Sequence, residues 1–399
     1  MSGLDTAGLR ARMVDRLLAE EAMAGWSSAV APWRPALVTV PRHEFISETV
    51  WVKNPDHWPT LLPVHRDEDP ARWLELSYGD GAVITQIDDG HPEGPGLAGA
   101  MQTSSASAPE IVAVMLAALD ARPGHRVLEI GTGTGYNAAL LAHRLGAGQV
   151  TSVEIDSDVA SRARVALTEA GYGEVCTVTG DGELGYPPRA PYDRVIATAA
   201  VHDIPYPWVA QTRPGGRILL PWANSYTGAL VALTVSGEGT ACGRIVGESS
   251  FMWLRGQRER RGPVADVVGA DEDRAEVRST QLHPHSVAGD QHARFAIGQR
   301  VRRCQWRYWP FDERTGGVFW LLDFESRSWA KLIHVTPDAS EAEFRVHQYG
   351  PRRLWDEVHT AHQWWMNHGK PAIDCWRFAV APQCQHVELV GPPGSAGVG

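Results

Sequence analysis

The sequence predicts a doubly wound α/β fold, in which helices cover both faces of a largely parallel sheet. Two observations carry this prediction. The apolar run Val127–Ile130 leads into a glycine-rich turn at residues 131–135, as a buried parallel strand does when it precedes a helix. Strand-like and helix-like segments then alternate from residue 150 to about residue 235, which is the rhythm of a doubly wound sheet.

Before the glycine turn, the sequence predicts helices on either side of a long irregular stretch, residues 53–101. Leu9, Met13 and Leu17 recur at the spacing of an amphipathic helix. Residues 53–101 are rich in proline, glycine and aspartate, and we predict that they form an expanded loop that serves as a lid or a substrate platform. A helix with an apolar face is predicted over 108–121.

The elements after the turn follow from their apolar patterns. The helix at 137–145 is predicted to end at Gly146. Alternating strands and helices are predicted at 150–155, 158–170, 175–179, 194–198, 208–213 and 217–221. The last two apolar runs, 230–235 and 247–253, are predicted to close the sheet as antiparallel edge strands.

The character of the chain changes near residue 258, where an arginine-rich run ends in Gly262-Pro263. We therefore predict two domains, an α/β ligand-binding domain over 1–258 and an accessory α+β domain for substrate recognition over 262–399. Within the second domain, strands are predicted at 317–323, 342–349, 376–381 and 386–390, with a helix at 354–368.

Composition limits the classes of partner. The formal net charge of −10, without a compensating basic stretch, argues against nucleic acid. No apolar run approaches the roughly 20 residues of a membrane span, and the first 25 residues lack the core of a signal peptide. The five scattered cysteines, without a CxxC pair, predict reduced thiols and a cytoplasmic protein.

Two acids beside the glycine turn indicate the ligand. Glu129 stands just before the turn, where a carboxylate would repel a pyrophosphate but suits a cation. Glu154 ends the next strand, where such folds place an acid that holds two ribose hydroxyls. The glycines at 131, 133 and 135 also depart from the G-x-G-x-x-G spacing of a dinucleotide site. The pattern favours S-adenosylmethionine over NAD.

Two further segments contain polar groups at predicted element ends. Asp181 and Gly182 follow the third strand, where an acid can accept a hydrogen bond from an adenine amino group. Ser107, three residues before Glu110, predicts a capping box, and its hydroxyl could also face a carboxylate. The histidines at 283, 285, 292, 359 and 362 lack a metal-binding pattern, so we expect no metal site.

These motifs together resemble the protein-L-isoaspartate O-methyltransferases over about residues 5–255. The resemblance rests on the segments 40–45, 78–80, 103–109, 127–136, 153–155, 180–182, 190–200 and 214–221. It implies a Rossmann-like class I methyltransferase sheet of seven strands, with S-adenosylmethionine as methyl donor and S-adenosylhomocysteine as product. It also places Ser107 beside the acceptor carboxylate as the catalytic residue. The expected donor-binding residues are Ser105, Ser107, Glu129, Gly131, Thr132, Gly133, Gly135, Glu154, Ile155, Asp181, Gly182 and Thr198.

The enlarged segment 53–101 and the residues after 262 extend the substrate side of this pattern. In both respects the chain is similar to extended family members that tailor ribosomal peptides of the graspetide and lanthipeptide classes. That resemblance implies methylation of one aspartate side chain in a modified, macrocyclic precursor peptide, followed by closure to an aspartimide. The alternatives are repair of isoaspartyl proteins, a scaffold that delivers a precursor peptide to another enzyme, and methylation of a small molecule.

Overall fold

The computed structural model describes residues 5–20, 23, 25–54, 60–269, 272–309, 317–334 and 344–391. None of the helices in these ranges combines the length and apolarity needed to cross a membrane. The α-helices are α1 (Thr6–Ala19), α2 (Ser27–Val30), α3 (Arg34–Thr39), α4 (Pro70–Ser77), α5 (Pro109–Leu119), α6 (Tyr136–Leu145), α7 (Ser157–Glu169), α8 (Tyr206–Ala210), α9 (Ala265–Val268), α10 (Pro284–Ala288), α11 (Gln291–Gly298) and α12 (Leu354–Asn367).

The strands of the described ranges form three sheets. A four-stranded sheet contains β1 (Thr49–Lys53), β2 (Leu61–His65), β3 (Val83–Ile87) and β4 (Gln102–Ala106). A nine-stranded sheet contains β5 (Val127–Ile130), β6 (Val150–Glu154), β7 (Cys176–Thr179), β8 (Tyr192–Ala197), β9 (Thr212–Ala223), β10 (Gly228–Val235), β11 (Ala241–Glu248), β17 (Trp376–Ala381) and β18 (Cys384–Leu389). A five-stranded sheet contains β12 (Glu276–Thr280), β13 (Gln305–Trp309), β14 (Gly317–Asp323), β15 (Ser328–His334) and β16 (Phe344–Tyr349).

The large sheet confirms the predicted doubly wound fold. Its order is β18-β17-β11-β10-β9-β8-β5-β6-β7, and β7, β6, β5, β8 and β9 run parallel. All four residues of β5 are buried, because helices cover both faces of a parallel sheet. The parallel strands end on one edge, and the loops that follow β5, β6 and β8 therefore meet there.

The chain returns to the large sheet after the small one. β17 pairs with β11 from Ala241↔Val380 to Arg244↔Arg377, and β18 pairs with β17. The described sheet thus has nine strands rather than the predicted seven, since two strands from the C-terminal part extend it. That the five-stranded sheet belongs to a separate accessory domain stays a prediction. The last two strands, which were predicted to belong to the same domain, are instead part of the large sheet.

The prediction of an irregular loop over 53–101 is wrong. β2, α4 and β3 lie within it, and all five residues of β3 are buried. The helix begins as its sequence allows, because the side chain of Asp69 accepts a hydrogen bond from the backbone of Arg72 and Pro70 takes the first turn. The segment folds as part of an antiparallel sheet whose last strand, β4, follows it in the chain and leads to α5.

The antiparallel edge strand predicted at 247–253 is also misplaced. It runs over Ala241–Glu248, and it pairs with β10 through a register shift at Leu230/Val231. The residues that follow, from Ser250 onward, are on the wall of the cavity described below.

Candidate active site

The glycine turn after β5 brings the backbone close to its neighbours. Gly131 has φ +89°, and a Cβ there would lie 2.8 Å from the Thr198 hydroxyl. Thr198 donates that hydroxyl to the Gly131 carbonyl at 2.5 Å, which ties the ends of β5 and β8 together. Gly135, also with φ +89°, is the N-cap of α6. Both positions require glycine because other residues are strained in this conformation.

Glu154, at the end of β6, is held in place by two backbone groups. Its Oε2 accepts a hydrogen bond from Gly133 N–H at 2.9 Å, and its Oε1 accepts one from Asp156 N–H at 3.1 Å. The side chain is half-buried. Burial raises its pKa, although the two hydrogen bonds oppose the shift. A carboxylate has about four lone-pair positions, so it retains acceptor capacity towards the cavity.

The loop after β7 packs against the glycine turn. A Cβ on Gly182 would lie 2.6 Å from Ile130 Cγ2, and its carbonyl accepts a hydrogen bond from the Trp208 indole at 2.8 Å. Asp181 is exposed beside it, and its Oδ1 accepts a hydrogen bond from the Glu183 backbone. The carboxylate therefore borders the cavity from a fixed loop.

Glu129 is not on the cavity wall. It is fully buried, and it accepts hydrogen bonds from Ser152 Oγ at 2.5 Å and from Asn137 Nδ2 at 2.7 Å. Burial raises its pKa to about 7, against the opposing effect of these two hydrogen bonds. The structure thus gives Glu129 the position of an internal support that joins β5, β6 and α6, rather than the direct ligand contact expected from its place in the sequence.

Replacing Glu129 with glutamine should flatten the pH dependence of stability. The folded protein holds this proton up to a pKa of about 7, against an ordinary value of 4.5. Its contribution is complete below pH 4.5 and is lost as the pH rises through about 7, on the order of 3 kcal/mol. Urea unfolding from pH 5 to pH 8 measures this effect. If the free energy of unfolding changes equally with pH in wild type and Glu129→Gln, the prediction is contradicted. The control is Glu169→Gln at an exposed position, which should keep the pH dependence of wild type.

The capping box predicted at Ser107 is absent from the described structure. Helix α5 begins at Pro109, one residue later than a Ser107 cap requires. Its N-cap is therefore Ala108, which has no polar side chain that could cap the helix. Ser107 instead lies on the cavity wall, together with Ser105 of β4. Its hydroxyl forms no hydrogen bond with a described residue, so it is available to a ligand.

These elements enclose a cavity of about 1260 Å³ at the carboxyl ends of the parallel strands. Most of the predicted site residues meet on its wall, namely Ser105, Ser107, Gly131, Thr132, Gly133, Glu154, Ile155, Asp181, Gly182 and Thr198. Glu129 and Gly135 lie behind the wall. Ile155 is 42% exposed, so it offers an apolar surface to the face of a base.

An ion-pair network at this cavity was not predicted from the sequence. Arg255 contacts Asp156 at 2.6 Å and Asp89 at 3.2 Å, and Arg258 contacts Asp89 at 2.7 Å. Hydrogen bonds from Val159 N–H, Arg255 and Gln86 lower the pKa of Asp156, although burial alone would raise it. In the sequence, only the arginine-rich stretch 255–261 indicated a charged site. The acids that pair with these arginines, Asp89 and Asp156, are distant in the chain. The described residues include no cluster of three or more His, Cys, Asp or Glu suited to a metal.

Comparisons with known proteins identify the family. The model of the Protein-L-isoaspartate(D-aspartate) O-methyltransferase (PCMT) family matches residues 95–259. The protein-L-isoaspartate O-methyltransferase 2 of Archaeoglobus fulgidus is 41% identical over 152 residues, which cover 38% of this chain and 69% of the relative. The enzyme of Methanopyrus kandleri is 33% identical over 230 residues, covering 57% of this chain and 85% of the relative. The chain belongs to the protein-L-isoaspartate O-methyltransferase family.

A solved structure extends the likeness in fold beyond the matched residues. A protein-L-isoaspartate O-methyltransferase chain aligns with 95% of this chain and 99% of its own length, with a TM-score of 0.51 and 20% identity. At this identity the likeness concerns the fold. It includes most of the C-terminal part as well as the methyltransferase sheet.

As a member of this family, the chain is an S-adenosylmethionine-dependent carboxyl O-methyltransferase. The residues present fit that donor. A Cβ at Gly131 would meet Thr198 and a Cβ at Gly182 would meet Ile130, so glycine lets these two loops pack together on the cavity wall. Glu154 is fixed at a strand end, and Asp181 borders the same cavity.

Proposed function

We propose that the chain methylates the side-chain carboxylate of one aspartate in a ribosomally synthesised, conformationally constrained peptide, and that the ester then closes to an aspartimide. One observation carries this proposal. Residues 307–309 of β13, in the C-terminal sheet, border the same cavity as the glycine turn. An acceptor in this cavity contacts the added sheet as well as the donor-binding loops, which favours a partner of defined shape.

Ser107 is the residue that we propose to position the acceptor. Its hydroxyl is on the cavity wall and has no hydrogen-bond partner among the described side chains and backbone groups. It also precedes α5, whose first backbone N–H groups and dipole favour an anion. Ser107 can therefore donate one hydrogen bond to an aspartate carboxylate and direct the other oxygen towards the donor.

The chemistry needs no general base. An aspartate carboxylate is ionised at pH 7, since its ordinary pKa is about 3.9. The donor, when bound, supplies a methyl group on a positively charged sulfur. The protein's residues hold the two reactants in line and limit the access of water, which would otherwise solvate the carboxylate. Met101, Tyr308 and Trp309 provide apolar surface on the cavity wall for this second task.

Methylation prepares the ring closure by changing the leaving group. In the ester, the nitrogen of the next peptide bond attacks the side-chain carbonyl carbon and loses its proton. The C–OCH₃ bond breaks, and methanol leaves with that proton. The unmodified side chain closes only slowly, because the carboxylate would have to expel oxide and the small protonated fraction must lose water, so methylation greatly accelerates the closure.

Repair of isoaspartyl proteins is the second candidate. The relatives from A. fulgidus and M. kandleri are both described as protein-L-isoaspartate O-methyltransferases. Their sequence matches cover 38% and 57% of this chain, and the fold of a solved protein-L-isoaspartate O-methyltransferase aligns with 95% of it. The two candidates differ in the acceptor, because repair takes an isoaspartyl residue in a flexible segment.

A panel of three peptides separates the candidates. We expect a lactam-cyclised Asp-Gly peptide to be methylated with a kcat/KM at least about tenfold above that of its linear counterpart, because the fixed shape removes ordering entropy. Mass spectrometry should show a gain of about 14 Da, then a net loss of about 18 Da from the starting mass. Turnover of a linear isoaspartyl-Gly peptide without turnover of the cyclised peptide would reverse the assignment.

A point substitution tests the contribution of the C-terminal sheet better than a deletion. Removing 262–399 would also remove β17 and β18 from the large sheet. Trp309, which borders the cavity and packs edge-on against Trp320 with ring centroids 6.5 Å apart, is the better target. Trp309→Ala should lower the kcat/KM of the cyclised peptide more than that of the linear isoaspartyl peptide.

We propose that the reaction takes place in the cytoplasm. All five cysteines lie among the described residues and are free thiols, and Cys242 and Cys384 are exposed. Unpaired, exposed thiols are typical of a reducing compartment.

A further inference from the structure

The cavity wall contains two arginines that form no ion pair with a carboxylate of the described residues. Arg307 belongs to β13, at the edge of the five-stranded sheet, and Arg261 lies in the segment between β11 and α9. Neither guanidinium forms an ion pair within 4.0 Å with a carboxylate of the described ranges. The neighbouring Arg255 and Arg258 differ in this respect, since Asp89 and Asp156 pair with them.

Arg307 is held in a defined position. Its Nη2 donates a hydrogen bond to the Gly262 carbonyl at 2.6 Å, and its guanidinium carbon lies 5.9 Å from the centre of the Phe324 ring. Burial, and next the charge of Arg261, lower the pKa of Arg307. Arg261 directly precedes Gly262, whose carbonyl accepts the hydrogen bond from Arg307, so the two arginines are neighbours on the cavity wall. A guanidinium is cationic at neutral pH.

Two acids of the described residues lie near this arginine pair. Glu259 also borders the cavity, but its carboxylate accepts the Ser225 hydroxyl at 2.5 Å. Asp266 lies beside Gly262. Within the described residues, neither forms an ion pair with Arg261 or Arg307.

The chemistry of the pair selects its ligand. A guanidinium presents a planar set of donors that matches the two oxygens of a carboxylate. An anion between two such cations gains two charge-assisted interactions and removes their mutual repulsion. The donor has its own acids, Glu154 and Asp181, on the strand-end side of the wall.

We propose that Arg261 and Arg307 bind a second carboxylate of the peptide substrate, distinct from the one that is methylated. The inference rests on the proposed function and specifies it further, because it makes the substrate an acidic peptide. The second carboxylate belongs to a side chain or to the peptide C-terminus. The pair determines specificity and does not contact the reacting atoms.

Binding measured without turnover tests this proposal. The probes are labelled, lactam-cyclised Asn-Gly peptides that cannot be methylated, with Glu or Gln at a second position and with a free or amidated C-terminus. Fluorescence anisotropy should show that the Glu or free-acid peptide binds wild type roughly 10- to 100-fold more tightly than its neutral counterpart, as expected for one charge-assisted contact. The position at which neutralisation weakens binding identifies the source of the carboxylate.

The double variant Arg261→Gln/Arg307→Gln should lose this preference and bind acidic and neutral peptides alike. The double variant Arg260→Gln/Arg302→Gln is the matched control, since both arginines are exposed and lie off the cavity wall, and their replacement removes the same two charges. Thermal unfolding checks that each variant folds. The proposal is overturned if wild type shows no preference, or if the double variant keeps it. Because no methyl transfer is measured, this result is independent of the outcome of the methylation assay.

Discussion

Replacing Glu154 with alanine should raise the Kd for S-adenosylhomocysteine by at least about 100-fold. Each hydrogen bond from a ribose hydroxyl to this carboxylate contributes roughly 1.5–3 kcal/mol, and two such bonds account for the loss. The variant also releases the Gly133 and Asp156 backbone groups that Glu154 now holds, so the glycine turn loses its anchor. Isothermal titration calorimetry with S-adenosylhomocysteine measures the change directly.

The control for this experiment is Asp158→Ala. Asp158 is an exposed acid in the first turn of α7, four residues along the chain from Glu154, and its removal changes the net charge equally. It does not border the cavity. An affinity within about threefold of wild type for Glu154→Ala would show that the acid at the end of β6 does not hold the ribose, and the donor-binding assignment would then be wrong.

The elements around the glycine turn are predictable from the sequence for a local reason. Val127–Ile130, the glycine turn and Glu154 follow one another along the chain, so hydrophobic periodicity and glycine placement predict both the elements and their meeting point. The carboxyl ends of adjacent parallel strands then bring Glu154, Asp181 and Thr198 to one cavity without any further information.

The predictions were wrong where strands pair with segments distant in the chain, and where a polar residue is buried. Residues 53–101 have the composition of a loop, yet Val83–Ile87 is buried because it pairs with strands on both sides of it in the chain. Glu129 was expected on the wall, but buried donors from Asn137 and Ser152 hold it in the interior. Neither outcome is encoded within a window of a few residues, since tertiary contacts override local preference.

The same limit applies to the basic side of the cavity. Arg255 is separated by 99 residues from Asp156, which it pairs with, and Arg307 reaches the cavity from another sheet. Two other basic clusters of the sequence, 300–303 and 352–353, do not line the cavity. Arg352 pairs with Asp323 and Glu357, and Arg300 lies over the Trp364 ring. Charge clusters in a sequence therefore gave little guidance to the residues that line the site.

Replacing Phe378 with alanine should lower the free energy of unfolding by about 3–5 kcal/mol, the range for truncating a buried aromatic side chain. Phe378 lies on β17 and is 1% exposed. Its ring centroid is 5.4 Å from that of Trp222 on β9 and 6.5 Å from that of Phe295 on α11. The side chain thus joins the C-terminal strands to the core of the methyltransferase sheet.

Differential scanning calorimetry with and without S-adenosylhomocysteine decides whether this core is shared. The ligand raises the midpoint of the transition that unfolds its own site. If β17 belongs to that core, Phe378→Ala lowers the midpoint of this same transition. Arg377→Ala, on the exposed face of the same strand, should change the stability by less than about 1 kcal/mol, because it loses only a surface ion pair with Glu388. A Phe378→Ala effect confined to a transition that the ligand does not move would show that the last strands fold apart from the donor site, and the C-terminal region would then be an attached domain rather than a structural part of the enzyme.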